Sequence, residues 1–179
     1  MKRFVRPVLL GAAVVVAAFG YVRLAENKGY ALKKGTEAPA FRLPSLGGGE
    51  IELASYRGRP VVLNFWATWC PPCVAEMPSL ERLHRALGKE GLAVVAVSVD
   101  EDEQALRKFV EEHKLTFPIL RDPGARIAAG AYRTTGYPET FELDPQGVVR
   151  EHYVGPAEWA TPEALEHFRK RLVPIPGAR

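Results

Sequence analysis

The two cysteines of the chain stand three positions apart, in the segment Trp69-Cys70-Pro71-Pro72-Cys73. A disulfide that closes so short a loop would constrain the unfolded chain little, so a purely structural bond is disfavoured. A structural zinc site needs two further ligands, and no nearby residues have that spacing. Covalent haem attachment needs His directly after the second cysteine, whereas valine follows here. Redox chemistry is the use that remains for this pair.

The elements on either side of the pair favour a reactive sulfur at Cys70. Residues 61–66 are predicted to form a strand buried on both faces, and residues 70–87 carry apolar side chains at helical spacing. Pro78 lies inside that helix and is expected to kink it. Cys70 therefore stands where a strand ends and a helix begins, and the N–H groups and dipole of a helix N-terminus stabilise a thiolate. Cys73, one turn further on, should be shielded and able to resolve a mixed disulfide.

The rest of the pattern predicts an α/β domain. Hairpins are expected at residues 41–53 and 141–154, a second buried strand at 92–99, a short strand at 117–120, and helices at 103–113 and 125–132. The last helix has Thr161 as its N-cap and Pro162 at its first position. An early strand–helix–strand unit followed by an antiparallel hairpin indicates a mixed sheet with helices on both faces.

The sequence Phe-Trp-Ala-Thr-Trp-Cys-Pro-Pro-Cys at residues 65–73, with Glu76 and Pro78 following, resembles the thioredoxin superfamily. More narrowly it resembles the membrane-anchored TlpA/ResA/DsbE group, known for cytochrome c maturation and related disulfide reduction. The resemblance spans residues 36–173. It implies a thioredoxin-like mixed central sheet flanked by helices on both faces, with an extra N-terminal β-hairpin. It also implies Cys70 as the nucleophile and Cys73 as the resolving thiol of a redox-active disulfide.

The resemblance implies further site residues. A cis peptide is expected before the proline that faces the redox pair, here Tyr137-Pro138, which would leave the backbone of Tyr137 free to pair with an extended substrate. An acid at the position of Glu76 is linked to thiol proton transfer, and burial would raise its pKa so that it exchanges protons with Cys73. The alternative is a solvated helix glutamate. Asn64 replaces the buried Asp of ordinary thioredoxin and cannot relay protons.

The tryptophans and histidines have mostly structural or surface roles in this interpretation. Trp69 is expected on the substrate-contact surface, Trp66 fits the core, and Trp159 in a late loop is assigned no role. The four histidines are scattered, so we expect each on a solvated face and none in a metal site; no cofactor is expected. The net charge is +3, and five basic residues lie in the N-terminal extension, so no basic stripe indicates a nucleic-acid partner.

The N-terminal residues 1–24 are predicted to be a membrane anchor or signal peptide. A basic segment precedes 16 uncharged, mostly apolar residues from Pro7 to Val22, slightly short of a bilayer core. Small residues at 18 and 20 fit a signal-peptide cleavage site, but the apolar run continues past them, which favours an uncleaved anchor. Residues 25–35 are predicted as a linker, 36–173 as the thioredoxin-like domain and 174–179 as a C-terminal tail.

These features predict a single-pass protein of the cytoplasmic (inner) membrane with its catalytic domain on the periplasmic side, where disulfide chemistry is permitted. The expected function is thiol–disulfide exchange that reduces exported proteins, such as the cysteine pair of apocytochrome c, with a membrane thiol electron donor restoring the enzyme. Three alternatives stay open: a thiol oxidase or isomerase, a thiol peroxidase, and a membrane-tethered module that binds copper on the two thiols.

Overall fold

The computed structural model describes residues 32–172. The predicted anchor or signal segment, most of the predicted linker and the predicted tail lie outside the described residues. Among residues 32–172, no helix is long and apolar enough to cross a bilayer.

The N-terminal hairpin consists of β1 (Arg42–Pro44) and β2 (Glu50–Glu52), which pair antiparallel as the sequence predicted. A short 3-10 turn at Leu53–Tyr56 follows β2. The alternating pattern of the hairpin gave no signal for this turn, because a single turn is too short to show helical periodicity.

A five-stranded mixed sheet forms the centre of the domain. Its strands are β3 (Val61–Trp66), β4 (Ala93–Ser98), β5 (Ile119–Arg121), β6 (Glu139–Leu143) and β7 (Val149–Val154), in the order β5-β4-β3-β6-β7. β3 pairs parallel with β4 and antiparallel with β6. The parallel pair needs a crossover, which the helix α1 (Pro71–Leu87) supplies. The predicted thioredoxin-like architecture is confirmed.

Helical segments cover both faces of the sheet. Successive side chains of a strand point to opposite faces. On β3, Asn64 points toward α1 and bonds to Glu76, whereas Phe65 points the other way and packs on Tyr132, with ring centroids 4.8 Å apart. The other helices are α2 (Glu103–Glu112) and α3 (Pro162–Arg169), and Thr161 caps α3 as predicted.

The helix expected at residues 125–132 is a single π-helical turn, Arg126–Ala131. The chain enters it through Ala125 in a left-handed conformation (φ 53°). The buried carboxylate of Asp122 accepts hydrogen bonds from the backbone N–H groups of Ile127 (2.9 Å) and Ala128 (2.8 Å). The carboxylate of Asp122 therefore caps the first N–H groups of the π-helical turn. Pro78 lies inside α1, which is a continuous helix from Pro71 to Leu87.

Candidate active site

Cys70 is the N-cap of α1, at the end of the loop that follows β3. Its backbone is extended (φ −100°, ψ 103°), and Pro71 and Pro72 occupy the first two helical positions. Because proline has no N–H, the first helical donor belongs to Cys73, and it donates to the Sγ of Cys70 over 3.3 Å. The sulfur therefore receives one backbone hydrogen bond and lies at the positive end of the helix dipole, and both stabilise a thiolate.

Cys70 and Cys73 are joined by a disulfide, so the structure represents the oxidised state. Cys70 retains 6% of its surface exposed, and Cys73 has 0%. An incoming sulfur can therefore reach Cys70 only, which agrees with the expectation that Cys73 is shielded. In the described range, no group of three or more His, Cys, Asp or Glu side chains is arranged to hold a metal ion.

The loop facing the redox pair carries Tyr137 and Pro138. The peptide bond between them is cis, as the resemblance implied. The carbonyl oxygen of Tyr137 lies 3.5 Å from the Sγ of Cys70. Trp69 is 64% exposed, and its ring centroid lies 6.1 Å from that of Tyr137. Trp69, which precedes Cys70 in the chain, and Tyr137 therefore form an aromatic pair, and the backbone carbonyl of Tyr137 lies beside the reachable sulfur.

Glu76, three residues after Cys73 in α1, is buried, with 3% of its surface exposed. Its Oε1 accepts a hydrogen bond from Nδ2 of Asn64 (2.8 Å), and its Oε2 accepts from the backbone N–H of Ala157 (3.1 Å) and from Nε1 of Trp159 (3.0 Å). Burial raises the pKa of this carboxyl group, while the three hydrogen bonds act in the opposite direction. The alternative of a solvated glutamate is wrong. This carboxyl group lies one helical turn beyond Cys73 and is shielded from solvent. A group of this kind is suited to exchanging a proton.

Asn64 links Glu76 to the central sheet. Its Nδ2 also donates to Oγ1 of Thr140, on the neighbouring strand β6, over 2.8 Å. The Oδ1 atom of Asn64 is buried and has no hydrogen-bond partner within the described part of the chain. Both amide hydrogens of Asn64 therefore donate hydrogen bonds, while its Oδ1 acceptor stays unpaired. The amide could turn to accept a hydrogen bond if Glu76 became protonated.

Trp159 is a site residue that the sequence did not reveal. Its indole reaches Glu76 across 83 positions of sequence. Its backbone N–H also donates to Oγ of Ser79 (3.2 Å), and that hydroxyl donates to the carbonyl oxygen of Glu76 (2.8 Å). The loop before α3 is thus attached to α1 through both Glu76 and Ser79. A tryptophan in a loop has no local pattern that indicates such a partner.

The loop that leads into Cys70 is held by a second buried carboxylate, Asp100. It is 3% exposed and accepts hydrogen bonds from the backbone N–H (3.0 Å) and Oγ1 (2.6 Å) of Thr68, and from Oγ of Ser98 (2.6 Å). Asp100 follows β4, so these bonds tie the end of one strand to the loop after its neighbour. The sequence feature that could have indicated this buried carboxylate is the Ser-x-Asp at the end of an apolar strand.

The cis-proline loop is held by a third buried carboxylate. Glu139 follows Pro138 and is 0% exposed; its Oε1 accepts from the backbone N–H groups of Thr135 (2.6 Å) and Gly136 (3.2 Å). Its Oε2 lies 2.8 Å from Nε2 of His152. The expectation that His152 lies on a solvated face is wrong, since this side chain is 15% exposed and packs within the sheet.

The chain resembles proteins of one functional class. The family model described as the AhpC/TSA family matches residues 34–152. The thiol-disulfide oxidoreductase ResA of Bacillus anthracis is 38% identical over 140 residues, which cover 78% of this chain and 79% of that protein. ResA of Geobacillus kaustophilus is 36% identical over 178 residues, 97% of this chain and 100% of that one. A crystal structure of a thioredoxin-family thiol:disulfide interchange protein from Chlorobium tepidum covers 80% of this chain and 100% of its own, with a TM-score of 0.67 and 27% identity.

Proposed function

The chain belongs to the AhpC/TSA family and is a thiol–disulfide oxidoreductase, and from this premise we propose that Cys70 is its attacking thiol and Cys73 its resolving thiol. The observation that carries the proposal is the difference between the two sulfurs. Cys70 is reachable and accepts a helix N–H, whereas Cys73 has no exposed surface. A nucleophile must be ionised and accessible, and a resolving thiol must be close and protected.

The reaction begins with the reduced enzyme. The Cys70 thiolate attacks one sulfur of a substrate disulfide; a new S–S bond forms and the substrate S–S bond breaks, releasing the other substrate sulfur as a thiolate that takes a proton from water. Cys73 then gives its proton to the Glu76 carboxylate and attacks Cys70. This second exchange forms the Cys70–Cys73 disulfide seen here and releases the second substrate thiolate. Two electrons pass to the substrate, and an external dithiol must return them.

The substrate chain is proposed to lie along the cis-proline loop. An extended polypeptide can pair with the backbone of Tyr137, which lies beside the reachable sulfur. Trp69 and Tyr137 would then contact the side chains that flank the substrate cysteine. Both rings are therefore assigned to substrate binding, and Pro138 to shaping the loop.

We further propose that the enzyme works as a reductant of exported proteins, with the cysteine pair of apocytochrome c as a candidate substrate. Residues 1–24 would anchor it in the cytoplasmic membrane with residues 36–173 on the periplasmic side, and a membrane dithiol would re-reduce it. Support comes from the basic segment followed by an apolar run, and from the oxidising compartment that substrate disulfides require. A C-terminal alkaline phosphatase fusion that is active in cells, and stays with membranes at alkaline pH, would support this placement; an inactive or readily extracted fusion would contradict it.

Trapping tests the assignment of the two thiols. Reduced Cys73→Ser protein mixed with an oxidised Cys-x-x-Cys-His peptide should accumulate a mixed disulfide through Cys70, whereas reduced Cys70→Ser protein should form none. The wild-type chain should release the reduced peptide. Equal trapping by both variants, or by neither, would contradict the assignment. Consumption of hydrogen peroxide faster than of the peptide disulfide would favour the peroxidase alternative instead.

A further inference from the structure

We propose that Trp159 is a positioning residue that holds the Glu76 carboxylate so that the proton from Cys73 is received at Oε1, an inference that rests on the proton step proposed above. The indole Nε1 of Trp159 donates to Oε2 of Glu76 over 3.0 Å. The backbone N–H of Ala157 donates to the same oxygen over 3.1 Å. One loop thus supplies two donors to one oxygen.

The indole is fixed in place by its surroundings. Trp159 is 3% exposed, and its ring centroid lies 5.1 Å from that of Tyr153 on β7 and 6.4 Å from that of Phe168 on α3. Its backbone is also bonded to Ser79 of α1. The side chain therefore cannot turn away from Glu76 without disturbing the packing of three elements.

The donors on Oε2 decide which oxygen can be protonated. An indole N–H and a backbone N–H can donate but cannot accept, so a proton on Oε2 would point at two fixed donors. Oε1 has a single partner, the amide of Asn64. If Oε1 gains a proton, the Asn64 amide can turn so that its unpaired Oδ1 accepts it, and Thr140 can then reverse its hydroxyl. Among the residues that the structure describes, there is an acceptor for the protonated state of Oε1 and none for that of Oε2.

Within residues 32–172, the charged groups near Glu76 are paired with one another. The titratable and charged groups on α1, on the Thr140 face of β6 and β7, in the loop before α3 and around α3 include Cys73, Arg82, Glu142, Glu151, Tyr153, Glu158, His167 and Arg171. Glu151 pairs with Lys34. Glu142 pairs with His167 and Arg171, and the exposed Glu158 pairs with Arg82. Burial raises the pKa of Tyr153 to about 12, so its hydroxyl is neutral at the pH of the reaction. Burial and the opposing hydrogen-bond donors, of which Trp159 is one, therefore set the balance between the two protonation states of Glu76.

The test compares Trp159→Phe with Phe168→Leu in the full chain. Phe168→Leu loosens the packing of the indole but keeps its N–H, so it serves as the matched control. The Glu76 carboxyl signal is followed against pH by 13C NMR and identified by its loss in Glu76→Gln. We expect Trp159→Phe to move the midpoint upward by about one pH unit, as loss of a hydrogen bond to a charged group does, and Phe168→Leu to leave it in place.

A kinetic measurement separates this inference from the proposed function. Resolution of a preformed Cys70 mixed disulfide by Cys73 should be about tenfold slower in Trp159→Phe near pH 7, because a carboxylate that loses its indole donor is no longer held with Oε1 as the acceptor. Alkylation of Cys70 should stay unchanged. An unmoved midpoint in Trp159→Phe, or an equal shift in Phe168→Leu, overturns the role of Trp159 and leaves the proposed function standing. A moved midpoint with an unchanged resolution rate overturns the proton step through Glu76, and the positioning role with it. Should Trp159→Phe fail to fold, 3-benzothienylalanine at position 159 removes the N–H while keeping the ring shape.

Discussion

The backbone N–H of Cys73 donates to the Sγ of Cys70 across 3.3 Å, and it is the first N–H of the helix because Pro71 and Pro72 have none. The sulfur of Cys70, proposed above to be the attacking one, therefore receives one hydrogen bond, whereas a helix N-terminus without prolines could supply two. This limits how far the N-terminus of the helix can stabilise a Cys70 thiolate. A less stabilised thiolate makes the reduced form less stable relative to the disulfide, and this makes the pair a stronger reductant.

Replacing Pro72 should make Cys70 more reactive. Pro72→Ala adds an N–H at the second helical position, within reach of an N-cap side chain, and should lower the pKa of the Cys70 thiol. We expect several-fold faster alkylation of the reduced protein at about pH 6, where little of a free cysteine is ionised. Pro78→Ala, in the interior of α1, is the control and should leave the rate unchanged. A rate in Pro72→Ala no higher than in the control would show that backbone donors do not govern this sulfur.

Glu76→Gln should flatten the dependence of folding stability on pH. Burial raises the pKa of Glu76 in the folded state above the value of 4.5 that applies to an unperturbed glutamate. A raised pKa means that the contribution to stability is full below the unfolded pKa and is lost as pH rises through the folded pKa. The free energy of unfolding of the wild type, relative to that of the variant, should therefore fall as the pH rises above the unfolded-state value of 4.5. Urea denaturation at a series of pH values measures it, and a constant difference would contradict the raised pKa.

The same variant should remain folded. Gln at position 76 can present its oxygen to Ala157 and Trp159 and its amide to Asn64, whose unpaired Oδ1 can turn to accept. Its defect should lie in the resolving step, which we expect to be about 100-fold slower, as is typical for loss of a general base. Rapid-quench analysis of the mixed disulfide would show this defect.

The sequence was sufficient for the fold and for the residues carried by one continuous segment. Cys70, Cys73 and Glu76 lie within one strand–helix unit, whose boundaries are set by local features such as the apolar run of β3 and the prolines at the start of α1. The identity of the facing proline came from resemblance alone, because no local feature places residue 138 beside residue 70.

The long-range partners of the buried carboxylates and of the indole could not be predicted in this way. Trp159 meets Glu76 across 83 positions, and Asp100 meets Thr68 across 32. Such contacts depend on how strands and loops come together in three dimensions, which no periodicity encodes. His152 shows the converse error, since it was expected on a solvated face, whereas its Nε2 lies 2.8 Å from Oε2 of the buried Glu139.

Thr68→Val should destabilise the loop before Cys70. It removes the hydroxyl that donates to the buried Asp100 over 2.6 Å while preserving size and shape. Leaving part of a buried carboxylate unsatisfied costs about 1–3 kcal/mol of the free energy of unfolding, whereas Thr68→Ser, which keeps the hydroxyl, should lose less. Urea denaturation distinguishes them. Equal losses in the two variants would mean that the methyl group, and not the hydrogen bond, matters.

Trp69→Ala should impair substrate binding without affecting folding. The side chain is 64% exposed, so we expect the free energy of unfolding to change by less than about 0.5 kcal/mol. The KM for a protein disulfide should rise about tenfold with little change in kcat, because an aromatic contact surface is lost while the sulfurs are untouched. Reduction of a small aromatic disulfide should be less affected. A fall in kcat with an unchanged KM would contradict the assignment of Trp69 to the contact surface.

The most direct test of the account is the rate of alkylation of each cysteine in the reduced full chain as a function of pH, resolved by peptide mass spectrometry. Cys70 should be modified with a midpoint below the value of about 8.5 for free cysteine, and Cys73 should stay unmodified over the same period. A midpoint for Cys70 no lower than that of free cysteine, or modification of Cys73 at an equal rate, would contradict it.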